Sequence, residues 1–123
     1  MKSIPVACFV LALSTAVAAA DNDMRLIQAA SKGDAKTVRA LLSQHVPLTA
    51  AEPDGATALH QAVRFNNVEI ADLLIAAGAD VKAATRYNIT PLYLAASNGN
   101  ATLIDHLLKA GADPNSTRLQ FFQ

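Results

Sequence analysis

"TPLYLAASNGN" occupies residues 90–100, and "TALHQAVRFNN" occupies residues 57–67. The two stretches lie 33 residues apart and follow one plan. Each opens on Thr, has Leu two places on, carries a ring next, reaches Ala two further, and closes on Asn. The same offset extends outward through the chain. It aligns Leu26, Leu59 and Leu92, then Ala29, Ala62 and Ala95. It aligns Gly33, Asn66 and Gly99, then Leu41, Leu74 and Leu107, with Leu42, Ile75 and Leu108 beside them. Gly78-Ala79-Asp80 matches Gly111-Ala112-Asp113. A fixed period of a few tens of residues is the mark of stacked repeats.

Each unit can be built from local rules. Thr57 and Thr90 precede apolar-periodic runs and are expected to cap helices. Pro91 stands at the first helical position, where its missing N–H is no loss; repeat two has Ala58 there. A short helix follows, with Leu59, Ala62 and Val63 on one side, and Leu92, Ala95 and Ala96 in repeat three. These small residues admit a second helix closely. Gly33, Asn66 and Gly99 are residue types that tolerate positive φ, which predicts a tight turn between antiparallel helices. Val68, Ile70, Ala71, Leu74 and Ile75 give the second helix its apolar face. Gly78 and Gly111 fall where a left-handed C-cap stops that helix. Repeat one has His45 at this place, and His is somewhat enriched at positive φ. The remaining stretch, such as "ADVKAATRYNI" (residues 79–89), is expected to cross over as a turn or hairpin arm.

The two segments Asp54–Val81 and Asn88–Asn115 resemble the ankyrin repeat. The family pattern is a Thr-Pro-Leu-His start, a Gly between helices, a Leu-rich second helix and a Gly-Ala-Asp close. Repeat three keeps Thr90-Pro91-Leu92 and has Tyr93 in place of His. Repeat two keeps His60 and lacks Pro. "LIQAASKGDAKTVRALLSQH" (residues 26–45) matches the helical part alone, like a repeat that opens an array. The resemblance implies an all-α solenoid of stacked helix–turn–helix units with short hairpin loops. It divides the chain into an opening repeat over 21–53, full repeats over 54–86 and 87–118, and a stub over 119–123. One unit cannot bury its own apolar face, so neighbours share a core. Leu119, Phe121 and Phe122 are expected either to fold back over the end of the array or to mark a truncated gene. His106, aligned with Leu73, fits a unit with no neighbour beyond it.

The first twenty residues differ from the rest. "MKSIPVACFVLALSTAVAAA" has one basic residue, Lys2, an uncharged apolar run and then Ala18-Ala19-Ala20. That is the layout of an export leader, with cleavage expected after Ala20. The alternative is an uncleaved anchor, for which the run is short against the ~20 apolar residues that a spanning helix needs. The sole cysteine, Cys8, lies inside this segment. A cleaved chain would therefore carry no thiol and no disulfide. The expectation is a bacterial periplasmic or secreted protein. The short tail also leaves open an accessory segment of a larger or truncated enzyme.

No constellation in the chain carries chemistry. His45, His60 and His106 occupy unrelated repeat positions without metal-ligand spacing. At the Thr-x-x-His place, the resemblance implies that His60 braces Thr57 and nearby backbone. His106 and Asp105 are neighbours on a helix and point apart. Asp80 and Asp113 follow Gly-Ala and suit loop amides. "GNATLIDHLL" (residues 99–108) has one Gly before a helix but no second Gly or Lys for a phosphate loop. No catalytic residue, metal ligand or cofactor is expected. Asn88, Asn100 and Asn115 open Asn-x-Ser/Thr triplets, and each also has a structural reading at a loop, turn or repeat close.

What remains is surface. Lys plus Arg balance Asp plus Glu at ten each, so no charge excess points to nucleic acid or acidic lipid. The expected partner is another protein, with self-association through the C-terminal face as a further possibility. In ankyrin proteins, partners usually touch hairpin tips and the inward side of the first helix. Carried over by register, the tips are Pro53, Asp54 and Ala56, then Arg86, Tyr87 and Ile89. The helix positions are Ser31 and Lys32, Arg64 and Phe65, and Ser97 and Asn98. Arg64, Phe65, Arg86 and Tyr87 form the leading subset, because Arg and aromatic side chains are favoured as binding anchors.

Overall fold

The computed structural model describes residues 24–115. The expected leader and the stub lie outside the described residues. Six helices occur among those described: α1 (Arg25–Lys32), α2 (Ala35–Ser43), α3 (Ala58–Arg64), α4 (Val68–Ala76), α5 (Pro91–Asn98) and α6 (Ala101–Lys109). They form three antiparallel pairs. α1 packs on α3 and α3 on α5, while α2 packs on α4 and α4 on α6. The fold is the expected all-α stack of helix–turn–helix units.

The starts of the helices follow from their capping residues. Thr90 Oγ1 accepts from the Tyr93 N–H at 3.1 Å. The second helices use a different residue type. Asp34, Asn67 and Asn100 accept through their side chains from the N–H groups of Thr37, Ile70 and Leu103, at 3.1, 3.0 and 3.1 Å. Each such cap is worth about 1 kcal/mol. Between the helices of each pair, Gly33, Asn66 and Gly99 take φ of 74°, 59° and 69°. Asn66 therefore adopts the left-handed geometry that glycine supplies in the other two units. His45 is left-handed as well, with φ 57°.

The repeat register is also the burial register. Leu26, Leu59 and Leu92 are buried, as are Ala29, Ala62 and Ala95, and Leu41, Leu74 and Leu107. These residues make one continuous apolar core running through the three units. Ala30 and Val63 are fully buried, but Ala96, their equivalent in repeat three, is exposed. Among the described residues no unit stacks beyond repeat three, so this third position on the helix meets no neighbour.

The crossovers are minimal hairpins. Ala51 and Thr57 form an isolated antiparallel bridge, and the Glu52 N–H donates to the Ala56 carbonyl at 2.8 Å. In the next arm the Thr85 N–H donates to the Ile89 carbonyl at 3.0 Å. The arms are tied together where the Arg86 N–H donates to the Asp54 carbonyl at 2.8 Å. Gly55 has φ 94°, and a Cβ built there would sit 3.2 Å from Thr85 Cα. Its lack of a side chain lets the two arms meet. Asn88, in the same register, has φ 63°.

Candidate functional site

The first helices and the hairpin arms are joined by one buried imidazole. His60, on α3, is fully buried. Its Nδ1 accepts from the Thr57 N–H at 3.1 Å, and its Nε2 lies 2.9 Å from the Ile89 carbonyl oxygen. A carbonyl can only accept, so Nε2 carries the proton and the ring is neutral. Burial pushes the imidazole below its ordinary range; the bond to Ile89 and the charge of Asp54 oppose this, and Arg64 adds to it. The brace on Thr57 is the one that the resemblance implied. The reach to Ile89 links α3 of repeat two to the arm of repeat three.

A second junction lies at the turns. Asn98 Nδ2 is 3.1 Å from both the Val63 and the Arg64 carbonyl oxygens, and 3.3 Å from Asn66 Oδ1. Asn66 Oδ1 also accepts from Asn100 Nδ2 at 3.1 Å. This cluster holds the C-terminal end of α5 against that of α3. Asn100 is thus occupied twice, as cap and as donor. The outer helices are joined by polar side chains. Arg39 on α2 pairs with Glu69 on α4, and His106 Nδ1 on α6 lies 2.7 Å from Asp72 Oδ1 on α4. Lys109 pairs with Asp105 within α6 at 2.9 Å. Such exposed pairs are worth about 0–1 kcal/mol each. The partner of His106 is therefore Asp72, one repeat away, and not its neighbour Asp105.

The residues expected to face a partner fall into three groups. Phe65 and Tyr87 are the most open apolar side chains, 57% and 69% exposed, and Lys32, Arg64, Arg86 and Ser97 are exposed with them. The Arg86 guanidinium lies 5.9 Å from the Tyr87 ring centroid, within cation–π range. Ser31, Asp54 and Ile89 are half-buried, and Asp54 Oδ1 accepts from the Ala56 N–H at 3.0 Å. Asn98 is exposed, but its amide is committed to the turn cluster. Ala56 does not belong to the tip surface. It stands on the return leg of the hairpin beside the Ala51–Thr57 bridge, and it is fully buried.

Two features of this surface are invisible in register. Position 98 aligns with the exposed Lys32 and Phe65, so nothing along the chain marks its amide as a cross-repeat donor. The Asp72–His106 and Arg39–Glu69 pairs lie 34 and 30 residues apart. An offset near the repeat length, joining a basic to an acidic residue type on second helices, is the signal that could have found them.

The model of the ankyrin repeat family matches residues 26–118 in three copies, and the chain belongs to that family. Ankyrin repeats are protein-interaction modules, generally non-catalytic. Among the described residues, no three His, Cys, Asp or Glu side chains lie together as a metal site would need. No helix among them is long and apolar enough to cross a membrane.

Proposed function

We propose that the chain is an exported scaffold that binds another protein through its first helices and hairpin tips, in the periplasm or outside the cell. The observation that carries the docking part is the exposure of Phe65 and Tyr87, each beside an exposed arginine, on an otherwise aromatic-poor protein. Large rings left open next to guanidinium groups supply contact area and directed hydrogen bonds at once. The core gains nothing from either ring at these positions. Export is supported by Lys2, the apolar run after it and Ala18-Ala19-Ala20.

The two parts are tested separately. Phe65→Ala combined with Arg86→Ala should weaken capture of a partner identified by pulldown at least about tenfold. The melting temperature should stay within the small shifts usual for surface changes. Unchanged capture removes the proposed face. Mass spectrometry of the chain recovered from cells tests export, which predicts a product that begins at Asp21.

A second reading rests on the open side of repeat three, where Leu108 is 39% exposed and Ala96 is exposed. Self-association through that side predicts a concentration-dependent mass in analytical ultracentrifugation that Leu108→Glu abolishes.

A further inference from the structure

Charge is distributed differently over the two rows of helices. α1, α3 and α5 contain Arg25, Lys32 and Arg64, and no Asp or Glu. α2, α4 and α6 together contain Lys36, Arg39 and Lys109 with Glu69, Asp72 and Asp105, and there Arg39, His106 and Lys109 each meet a carboxylate while Lys36 does not. On the inner side, Lys32, Arg64 and Arg86 form no ion pair with any described residue. The carboxylates closest to Arg64 and Arg86 along the chain are engaged elsewhere, Glu69 with Arg39 and Asp80 with the Lys82 N–H at 2.9 Å, and those of the turn and arm are engaged locally. Asp34 accepts from the Thr37 N–H and hydroxyl at 3.1 and 2.6 Å. Glu52 accepts from Gln61 Nε2, and Asp54 Oδ1 from the Ala56 N–H. On the first-helix and arm side, Lys32 and Arg64 thus end the stacked helices α1 and α3 with Phe65 beside Arg64, and Arg86 and Tyr87 lie on the arm of the next repeat.

We infer that this side takes an acidic peptide segment of a partner protein, in which carboxylates are interspersed with large apolar side chains. The inference rests on the docking reading above and adds the chemistry of the partner. Carboxylates supply the acceptors that Arg64 and Arg86 can hold in bidentate fashion, and Lys32 adds a point charge. The apolar side chains of the segment cover Phe65 and Tyr87. A nucleic acid fits less well. The chain has no net charge, and three cations neutralise few phosphates.

The test is a displayed library of random peptides panned against the whole chain. Peptides about ten residues long suffice, because the three stacked first helices, spaced about 8–10 Å, are spanned at about 3.3 Å per residue. The selected peptides should be enriched in Asp and Glu together with at least one aromatic or large aliphatic residue. Their affinity should fall as salt is raised. It should fall at least about tenfold in Lys32→Glu combined with Arg64→Glu. The milder Lys32→Gln with Arg64→Gln serves if charge reversal disturbs folding, which circular dichroism reports.

Selected peptides without an acidic excess, yet sensitive to Phe65→Ala, overturn the acidic partner and leave the docking face standing. Peptides indifferent to both Phe65→Ala and the charge variants overturn the docking face as well. An empty selection overturns the proposal. So does an oligothymidylate of similar length that binds more tightly than the best peptide, which would make the ligand a nucleic acid.

Discussion

His60 is a fully buried polar residue. Both ring nitrogens are in use, one accepting from a backbone N–H and the other donating to a backbone carbonyl in the next repeat. His60→Ala leaves the Thr57 N–H and the Ile89 carbonyl without these partners, at an expected cost of about 1–3 kcal/mol. The dependence on pH has a definite sign. Burial holds the imidazole pKa below the unfolded value, so the unfolded chain binds the proton more readily. The stabilisation is complete above about pH 6.5 and is lost as pH falls from there through the lowered folded-state value. In urea titrations, the gap between wild type and His60→Ala should therefore be wider at about pH 7.5 than at about pH 5.5. His45 and His106 are present in both proteins, so the change in the gap belongs to His60. A gap that stays constant would mean that the ring is not held neutral. At this scale the sequence is informative wherever the backbone itself makes the demand. Gly33, Asn66 and Gly99 announce a left-handed turn, and His45 was expected to take the same strained geometry as a C-cap and does. It is uninformative where a side chain reaches across space, as at Asn98, whose register marks it as surface alone.

At the scale of elements, the helices are short and depend on their caps and neighbours. None of the six exceeds nine residues, well under the ~12–15 at which isolated helices are marginal in water. Their existence was legible because the same apolar spacing recurs in three units. The caps of the second helices were less so, since Asp34, Asn67 and Asn100 read equally well as turn residues. The hairpins were the least legible. Ala56 was expected at a tip by register, yet the return leg turns its methyl inward. Register assigns a position along the repeat, while the direction of a side chain in a two-bond hairpin depends on where the bridge forms. The arms also carry the tightest backbone approach. Gly55→Ala forces a Cβ to 3.2 Å from Thr85 Cα at φ 94°. It should cost more than the roughly 1 kcal/mol that positive φ alone exacts. The parallel Gly99→Ala, with φ 69° and nothing within 4 Å, should cost about that backbone share only. Chemical denaturation of the two variants side by side reads the difference. Equal costs would show that the arms do not touch as described.

For the molecule as a whole, stability is shared between units, since each covers a neighbour's apolar side. Leu74 is fully buried in the continuous core. Leu74→Ala should cost about 2–5 kcal/mol. Because its cavity opens in the middle unit, helical signal from all three should be lost together in thermal denaturation followed by circular dichroism. A two-step loss would show that the units hold separately. The period made this architecture legible, and the mutual burial of Leu26, Leu59 and Leu92 follows from it. The openness of Ala96 does not, because the repeat pattern describes a unit and says nothing of what stands beside it. The linear order of contacts has a mechanical corollary. A tether pulling on the two ends loads the junctions in series, and besides the shared core each is held by short-range bonds, Arg39 to Glu69 at the first and His60 to Ile89 and Asn98 to Val63 at the second. Stretched in this way, the protein would yield by shedding one hairpin of helices after another, giving a sawtooth of small forces instead of a single rupture.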